Sequence, residues 1–444
     1  MDKYNRITVI GMGKSGLSAV RLLNHLKKDV HVISQGDKSF WGKNPILSHM
    51  DENKLISQDD PAAFEAVKSS DLIILSPGIA REIPLLEGIS APIWCEIELA
   101  WQYADAPVMG ITGTNGKTTT VSFLEECFKH EGRPYFVGGN IGTPFCDYIY
   151  ERLSGSREQA WGIILELSSF QLESIRDFRP KVASILNITF SHGERYNLLS
   201  DYANAKKEIF KNMSDGDFSF WPIGLWDELG LPAPEVNDYE ELSFENISQI
   251  KSELESTLDL SQLKIYGEHN LKNLYMVYKM WTKFGGSHKA LQSAVNTFSG
   301  VEYRLEFIGE YRSLKVFNDA KSTNWEATET ALNGVKDEGR VTLVLGGQLR
   351  GEGDSRVEVL DPFKENIEKV FLIGESGQAL LSTLSKTYDC EYVETLEKLK
   401  VEVDKMSKDK GGTLLFSPAF PSFDQFKNYI ERGELFSRLF SNSN

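Results

Sequence analysis

Short apolar runs alternate with longer amphipathic segments along the whole chain. Runs of β-branched and aliphatic residues bounded by Gly, Pro, Ser or Asp predict strands. They stand at 7–10, 30–33, 71–75, 108–112, 162–167, 182–188, 341–345, 370–373 and 413–416. The segments between them have helical spacing, the first from about residue 15 to 26. This alternation predicts α/β domains with largely parallel sheets. The runs fall into three units, 1–105, 106–299 and 300–444. No internal repeat or low-complexity segment interrupts them.

Composition narrows the class. A chain of 444 residues accommodates two to four domains of roughly 100–200 residues each. With 41% hydrophobic and 25% charged residues it has an ordinary water-soluble balance. No apolar run approaches the roughly 18 residues of a bilayer span. The polar start, Met1 to Arg6, has no signal-peptide pattern, so a cytoplasmic protein is expected. The net charge of −16 argues against nucleic-acid binding, which needs cationic surface to displace counterions. Acidity concentrates between Asn212 and Leu263, where Lys251 is the single Lys or Arg. A solvated face is the expectation there. Cys95, Cys127, Cys146 and Cys390 form no CxxC pair. They are expected to be idle thiols in a reducing compartment.

The strongest local signal is a Gly-rich loop, Gly110 to Thr120, between a predicted strand and an amphipathic helix. Its core is Gly113, Thr114, Asn115, Gly116, Lys117, Thr118, Thr119 and Thr120. Glycines let backbone N–H groups curl around phosphate oxygens, and a helix N-terminus adds its positive dipole end. Lys117 is placed to neutralise the β and γ phosphates, and the Thr118 hydroxyl to ligate Mg²⁺. Gly110 stands one residue early for a GxxxxGK[ST] pattern, with Ile111 in the first-Gly position. The strand–loop–helix context separates it from an accidental Gly-rich turn.

A second Gly-rich turn, Gly11 to Gly16, fits GxGxxG. A dinucleotide site needs an acid at the end of the next strand for the ribose hydroxyls. That strand ends in Ser34 and Gln35, with the nearest acid at Asp37. This weighs against an NAD-dependent dehydrogenase and leaves a pyrophosphate, such as that of a UDP-sugar, or a structural turn.

Three further residues are metal-site candidates. Glu166 ends an apolar strand, where a carboxylate in a P-loop domain is placed to hold Mg²⁺. Of seven histidines, His192 alone follows a predicted strand near the expected nucleotide face. Lys206 lies in a predicted helix, where a lysine is ordinarily solvent-exposed.

Together these segments resemble the Mur ligase family over essentially the whole chain. The segments 113–119, 139–142, 166–172, 267–273, 318–324 and 417–429 carry the resemblance, most closely to the glutamate-adding members. It implies a Rossmann-like N-terminal UDP-sugar-binding domain (1–105), a P-loop central ATPase domain (106–299) and a Rossmann-like C-terminal amino-acid-binding domain (300–444). It also implies an ATP-dependent ligase that activates the carboxylate of UDP-MurNAc-L-Ala as an acyl phosphate and joins it to glutamate. A monomer without nucleic-acid or membrane partners is expected.

The family pattern assigns roles residue by residue. Thr118 and Glu166 hold a first Mg²⁺ and His192 a second. Lys206 aligns with the lysine that the family carbamylates, with Lys207 as the alternative if the alignment slips by one. Lys117, Glu166, His192 and Lys206 form the catalytic set. Asn270, Arg304 and Asp319 match nucleotide contacts. Ser15, Ser34, Gln35 and Asn140 align with UDP-sugar contacts. Lys321, Thr323, Arg350, Ser422, Phe423 and Tyr429 align with the glutamate pocket, where cations and hydroxyls suit two carboxylates.

The chain departs from the family in four places. Ser191 stands where Asp is usual before the histidine, Arg350 where Lys is usual, and Gln348 where an acid is usual. The stretch from Asn212 to Leu263 lacks the usual strand pattern. Within the same class, a ligase adding L-glutamate or another amino acid and a folate-polyglutamate synthetase are the alternatives. The segments Ser168 to Gln171 and Asp319 to Thr323 argue against the synthetase and against a Mur-type ligase for another amino acid, while the chirality of the glutamate is not read from the sequence. A catalytically dead homologue is disfavoured by intact Lys117, Glu166 and His192.

Overall fold

The computed structural model describes residues 1–36, 41, 44–189, 193, 195–349, 356–406 and 411–441. Asp37, Ser191, His192 and Arg350 lie outside the described residues. The chain forms two compact units, Met1–Ile250 with Asn273–Ala294, and Lys251–Lys272 with Val295–Asn444.

The first unit holds two parallel sheets. One contains β1 (Arg6–Ile10), β2 (Asp29–Ser34), β3 (Leu55–Ser57), β4 (Leu72–Leu75) and β5 (Ile93–Trp94) in the order β3-β2-β1-β4-β5. Its strands are apolar runs because helices cover both faces. Ile7 and Val9 point to one face, Ile10, Ile33 and Ile73 to the other, and all are buried. The strand order reverses between β1 and β4, which opens a crevice at their carboxyl ends.

The second sheet contains β6 (Val108–Thr112), β7 (Tyr135–Gly139), β8 (Gly162–Glu166), β9 (Val182–Ile185), β10 (Phe218–Pro222) and β11 (Tyr239–Leu242) in the order β11-β10-β9-β6-β8-β7. β6 is central, flanked by β8 and β9, so the carboxyl ends of these three strands converge. The helices Lys14–His25 and Phe145–Leu153 join the two sheets into one core, with an Arg21–Asp147 ion pair of 2.9 Å at their edge.

β10 and β11 correct the expectation that the acidic stretch lacks strands. Ser219, Phe220 and Trp221 are buried, while the acids occupy turns and exposed positions such as the side of β11 facing water. The charge there masks short buried runs.

The second unit carries a mixed sheet: β12 (Glu306–Tyr311), β13 (Leu314–Asn318), β14 (Val341–Gly346), β15 (Ile367–Ile373), β16 (Cys390–Glu394) and β17 (Gly412–Phe416), in the order β12-β13-β17-β14-β15-β16. Among the described strands of this sheet, the β12–β13 hairpin alone is antiparallel. Phe317, Leu343, Leu372 and Leu415 fill one face, and Val316, Phe371, Leu414 and Phe416 the other. Each fully buried side chain of this size contributes about 1.5–3 kcal/mol. No helix among the described residues is long and apolar enough to cross a membrane. The four cysteines are free thiols.

Candidate active site

The phosphate loop leaves the end of β6 and enters the helix Lys117–Glu131. Gly116 has φ +83°, and a Cβ there would stand 2.6 Å from Asn273 Oδ1, so only glycine fits. Asn187, just past β9, braces the loop from the side. Its Oδ1 accepts from the Asn115 N–H at 2.9 Å, its Nδ2 donates to the Asn115 carbonyl at 3.1 Å, and its carbonyl accepts from the Thr114 N–H at 3.0 Å. The Thr114 hydroxyl bonds the Thr189 backbone. Lys117 Nζ donates to the carbonyls of Gly113 and Thr114, each at 2.8 Å, which holds its charge over the loop. Thr118, Thr119 and Thr120 are buried in the first helical turn.

Glu166 ends β8 beside this turn and is 2% exposed. Its Oε2 accepts from the Thr118 hydroxyl and its Oε1 from Asn140 Nδ2, both at 2.9 Å. Asn140 reaches it because Gly139 (φ +100°) turns the chain out of β7 against the Glu166 carbonyl.

Lys206 reverses the expectation of an exposed side chain. It is 1% exposed on the inner face of the helix Leu199–Lys207. Its Nζ donates to the Gly113 carbonyl at 2.8 Å and the Thr112 hydroxyl at 3.3 Å, and lies 4.5 Å from the Tyr202 ring. Burial, reinforced by the nearby Lys117 charge and opposed by Glu166, pushes its amine down to about 6. Lys207 points elsewhere, to the Pro232 carbonyl.

Among the described residues no group of three or more His, Cys, Asp or Glu side chains is gathered as a metal cage. The Thr118 hydroxyl and the Glu166 carboxylate are nevertheless the hard oxygen donors that suit Mg²⁺, an ion that keeps several waters and uses one or two carboxylates.

A cleft of about 420 Å³ opens at the β1/β4 crevice. Gly11, Lys14 and Ser15 form one wall, Ser76 to Ile79 a second, and Asn140 and Gln171 a third. Ser15 and Asn140 therefore share one cleft. Ser34 and Gln35, at the end of β2, are not among its lining residues.

The remaining candidates belong to the second unit. Lys321 Nζ lies 5.6 Å from the Tyr429 ring, and Tyr303 packs against the same ring at 6.5 Å. Thr323 is half-buried two residues on, Ser422 is buried and Phe423 is 64% exposed. Asp319 accepts from the Ser417 hydroxyl at 2.7 Å and the Leu305 N–H at 3.1 Å. Burial raises its carboxyl to about 7 against these bonds and the nearby Arg304. Asn270 donates to the Tyr266 carbonyl at 2.7 Å. Gln348 meets the Pro421 carbonyl through its backbone N–H.

Sequence reading missed Asn187, Gln171 and the Ser76–Ile79 wall. An Asn near the end of the predicted strand 182–188, on the nucleotide side, was the available signal for the first. Gln171 stood inside the segment 166–172 that carries the family resemblance, and nothing local marks Ser76 to Ile79, which act across the fold.

Comparison with known proteins agrees with this geometry. Residues 5–92 match the family model of the Mur ligase MurD-like N-terminal domain, and residues 111–227 that of the Mur ligase middle domain. The UDP-N-acetylmuramoylalanine–D-glutamate ligase of Caldanaerobacter subterraneus subsp. tengcongensis is 32% identical, covering 98% of both chains. The enzyme of that name from Geotalea daltonii is 33% identical, covering 98% of this chain and 97% of its own. Among solved structures, the MurF ligase of Thermotoga maritima in complex with ADP shares the fold with a TM-score of 0.58 at 15% identity, covering 98% of this chain and 95% of that one. A Rossmann-type cleft, a phosphate loop facing it across Asn140 and whole-length likeness to these enzymes lead to one conclusion: the chain belongs to the Mur ligase family, among the UDP-N-acetylmuramoylalanine–D-glutamate ligases.

Proposed function

We propose that this protein joins D-glutamate to UDP-N-acetylmuramoyl-L-alanine at the expense of ATP, in the assembly of peptidoglycan precursors. One observation carries the geometric side of this reading. Asn140 stands in the wall of the cleft and also donates to Glu166 beside the phosphate loop. A carboxylate presented from the cleft therefore arrives where a γ-phosphate is held.

The substrate carboxylate attacks the γ-phosphorus and ADP leaves, giving an acyl phosphate. The glutamate amine then attacks the acyl carbon, loses a proton, and phosphate departs from the tetrahedral intermediate. Both steps crowd anionic oxygens together, so positioning and charge neutralisation supply most of the catalysis. Lys117 and the loop N–H groups neutralise the phosphates. Thr118 and Glu166 would hold one Mg²⁺, and His192 with a carbamylated Lys206 a second. Mg²⁺, when bound, neutralises the charge shared by the β and γ phosphates. Carbamylation suits Lys206 because, among the described residues, its buried Nζ meets a carbonyl, a hydroxyl and a ring face.

Asn270, Arg304 and Asp319 would contact the nucleotide, and Ser15, Ser34, Gln35 and Asn140 the UDP-sugar. Lys321, Thr323, Arg350, Ser422, Phe423 and Tyr429 would take the two carboxylates and the stem of glutamate. On this reading three domains, 1–105, 106–299 and 300–444, would take the UDP-sugar, ATP and the amino acid, and the protein would act as a cytoplasmic monomer.

The test is phosphate release from ATP with UDP-MurNAc-L-Ala and D-glutamate, against reactions lacking one substrate or carrying L-glutamate, alanine or diaminopimelate. Release is expected only with the full D-glutamate set. Equal release with any of the substitutes overturns the substrate assignment.

A further inference from the structure

The loop that follows β9 returns one side chain to the cleft. Arg195 is largely buried. Its Nη1 donates to the carbonyls of Pro77 and Ile79, each at 3.3 Å, and its Nη2 pairs with the Glu173 carboxylate. The guanidinium lies over the Phe170 ring at 4.5 Å. Tyr196 donates its hydroxyl to the other oxygen of Glu173, and its ring stacks on Phe170 at 5.9 Å. Arg81, from the chain just past the Ser76–Ile79 wall, donates to the Glu173 carbonyl at 2.7 Å.

These contacts join two opposite walls of the cleft. Pro77 and Ile79 line it from the first sheet, and Gln171, two residues before Glu173, lines it from the second. Gln171 and Glu173 in turn follow β8, which ends in Glu166. One guanidinium thus fixes the distance between the wall that would carry the UDP-linked acid and the strand that carries the Glu166 carboxylate. A guanidinium does this better than an ammonium. Its planar fork serves two carbonyls and a carboxylate at once while its face stacks on an aromatic ring.

We propose that Arg195, held by Glu173, is a positioning residue that sets the width of the cleft and so aligns the carboxylate of the UDP-linked substrate with the phosphate loop. This role rests on the ligase reading given above. The contacts of Arg195 described here run to the two cleft walls and not to the phosphate loop. Its loss should therefore fall on one substrate and on the first chemical step. A displacement of about 1 Å at a reacting group costs on the order of a hundredfold in rate.

The test compares full-length wild type with Arg195→Met, Arg195→Lys and Glu173→Gln. Steady-state kinetics are run for each of the three substrates in turn, with a melting curve for each protein. Arg195→Met is expected to raise KM for UDP-MurNAc-L-Ala at least tenfold and lower kcat at least tenfold. KM for ATP and for D-glutamate should stay within about twofold. Arg195→Lys and Glu173→Gln should give the same pattern in weaker form, and they carry the test if Arg195→Met does not fold. A fall in melting temperature with all three KM values and kcat unmoved overturns the proposal, as does a parallel rise of all three KM values. Wild type inactive with these substrates overturns the ligase reading itself. Active wild type with unaffected variants overturns the role of Arg195 alone.

Discussion

Replacing Asp319 by Asn should make the second unit more stable at alkaline pH while impairing catalysis. Asp319 directly follows β13 and is almost fully buried. Burial is the main cause that raises its carboxyl from 3.8 to about 7, opposed by the Ser417 hydroxyl, the Leu305 N–H, Arg304 and Arg432. The folded chain therefore binds a proton that the unfolded chain releases between these two values. Stability linked to this group is fully present below about pH 4 and falls as pH rises to about 7. At about 1.4 kcal/mol per pH unit, the loss reaches roughly 4 kcal/mol by pH 8 and roughly 1.5 kcal/mol at pH 5.

Asn keeps an acceptor for the Leu305 N–H and cannot ionise. Its amide can donate to the Ser417 oxygen, whose hydroxyl then turns to Thr328, 3.1 Å away. The stability difference between Asp319→Asn and wild type should thus be more favourable at pH 8 than at pH 5 by roughly 3 kcal/mol. That is a relative shift in urea midpoint of about 1–2 M. The assay is urea unfolding at both pH values, followed by hydrogen exchange of the peptides carrying β13 and β17. Turnover of ATP should fall in the same variant, as the nucleotide contact proposed for Asp319 requires. A midpoint difference that is the same at both pH values would falsify the reasoning, because it would mean that Asp319 titrates alike in the folded and unfolded chain.

Two other outcomes follow from the geometry. Gly139→Ala places a Cβ 2.4 Å from the Glu166 carbonyl at φ +100°. It should cost about 2–4 kcal/mol of stability through strain and overlap and displace the Asn140–Glu166 contact, read as a lower melting temperature together with a lower kcat. Arg432→Met removes a fully buried guanidinium whose Nη atoms bond the carbonyls of Phe420 and Ala320, at 2.9 and 2.8 Å. Charge-assisted bonds contribute about 1.5–3 kcal/mol each. Their loss should loosen the segments carrying Lys321 and Ser422 and raise KM for D-glutamate more than tenfold, with KM for UDP-MurNAc-L-Ala unchanged in steady-state kinetics.

Much of the fold is written locally. The apolar runs at 108–112 and 341–345 are strands because residues buried on both faces of a parallel sheet must be apolar throughout. The phosphate loop is equally legible, because the spacing of Gly113, Gly116, Lys117 and Thr118 is itself the geometry that receives phosphate. β10 and β11 were not legible. Their buried positions are few, and the acids around them dominate any window that averages charge.

Lys206 and Lys207 show where local reading stops. Both are lysines on one helix, and their order along the chain does not say which faces the phosphate loop. Helical phase and packing against β6 decide that Lys206 is buried on Gly113 and that Lys207 reaches the Pro232 carbonyl. Asn187 braces a loop 72 residues earlier in the chain, and Arg195 a wall 118 residues earlier.

The sequence by itself thus determined the α/β class, the phosphate loop and the carboxylate at the end of β8, and its resemblance to the Mur ligases implied the kind of reaction. The first three depend on residues near one another in the chain. Only the tertiary structure decided which lysine is buried, how the cleft walls are held and which backbone groups they share. Those contacts join residues that only the sheet order brings within hydrogen-bonding distance.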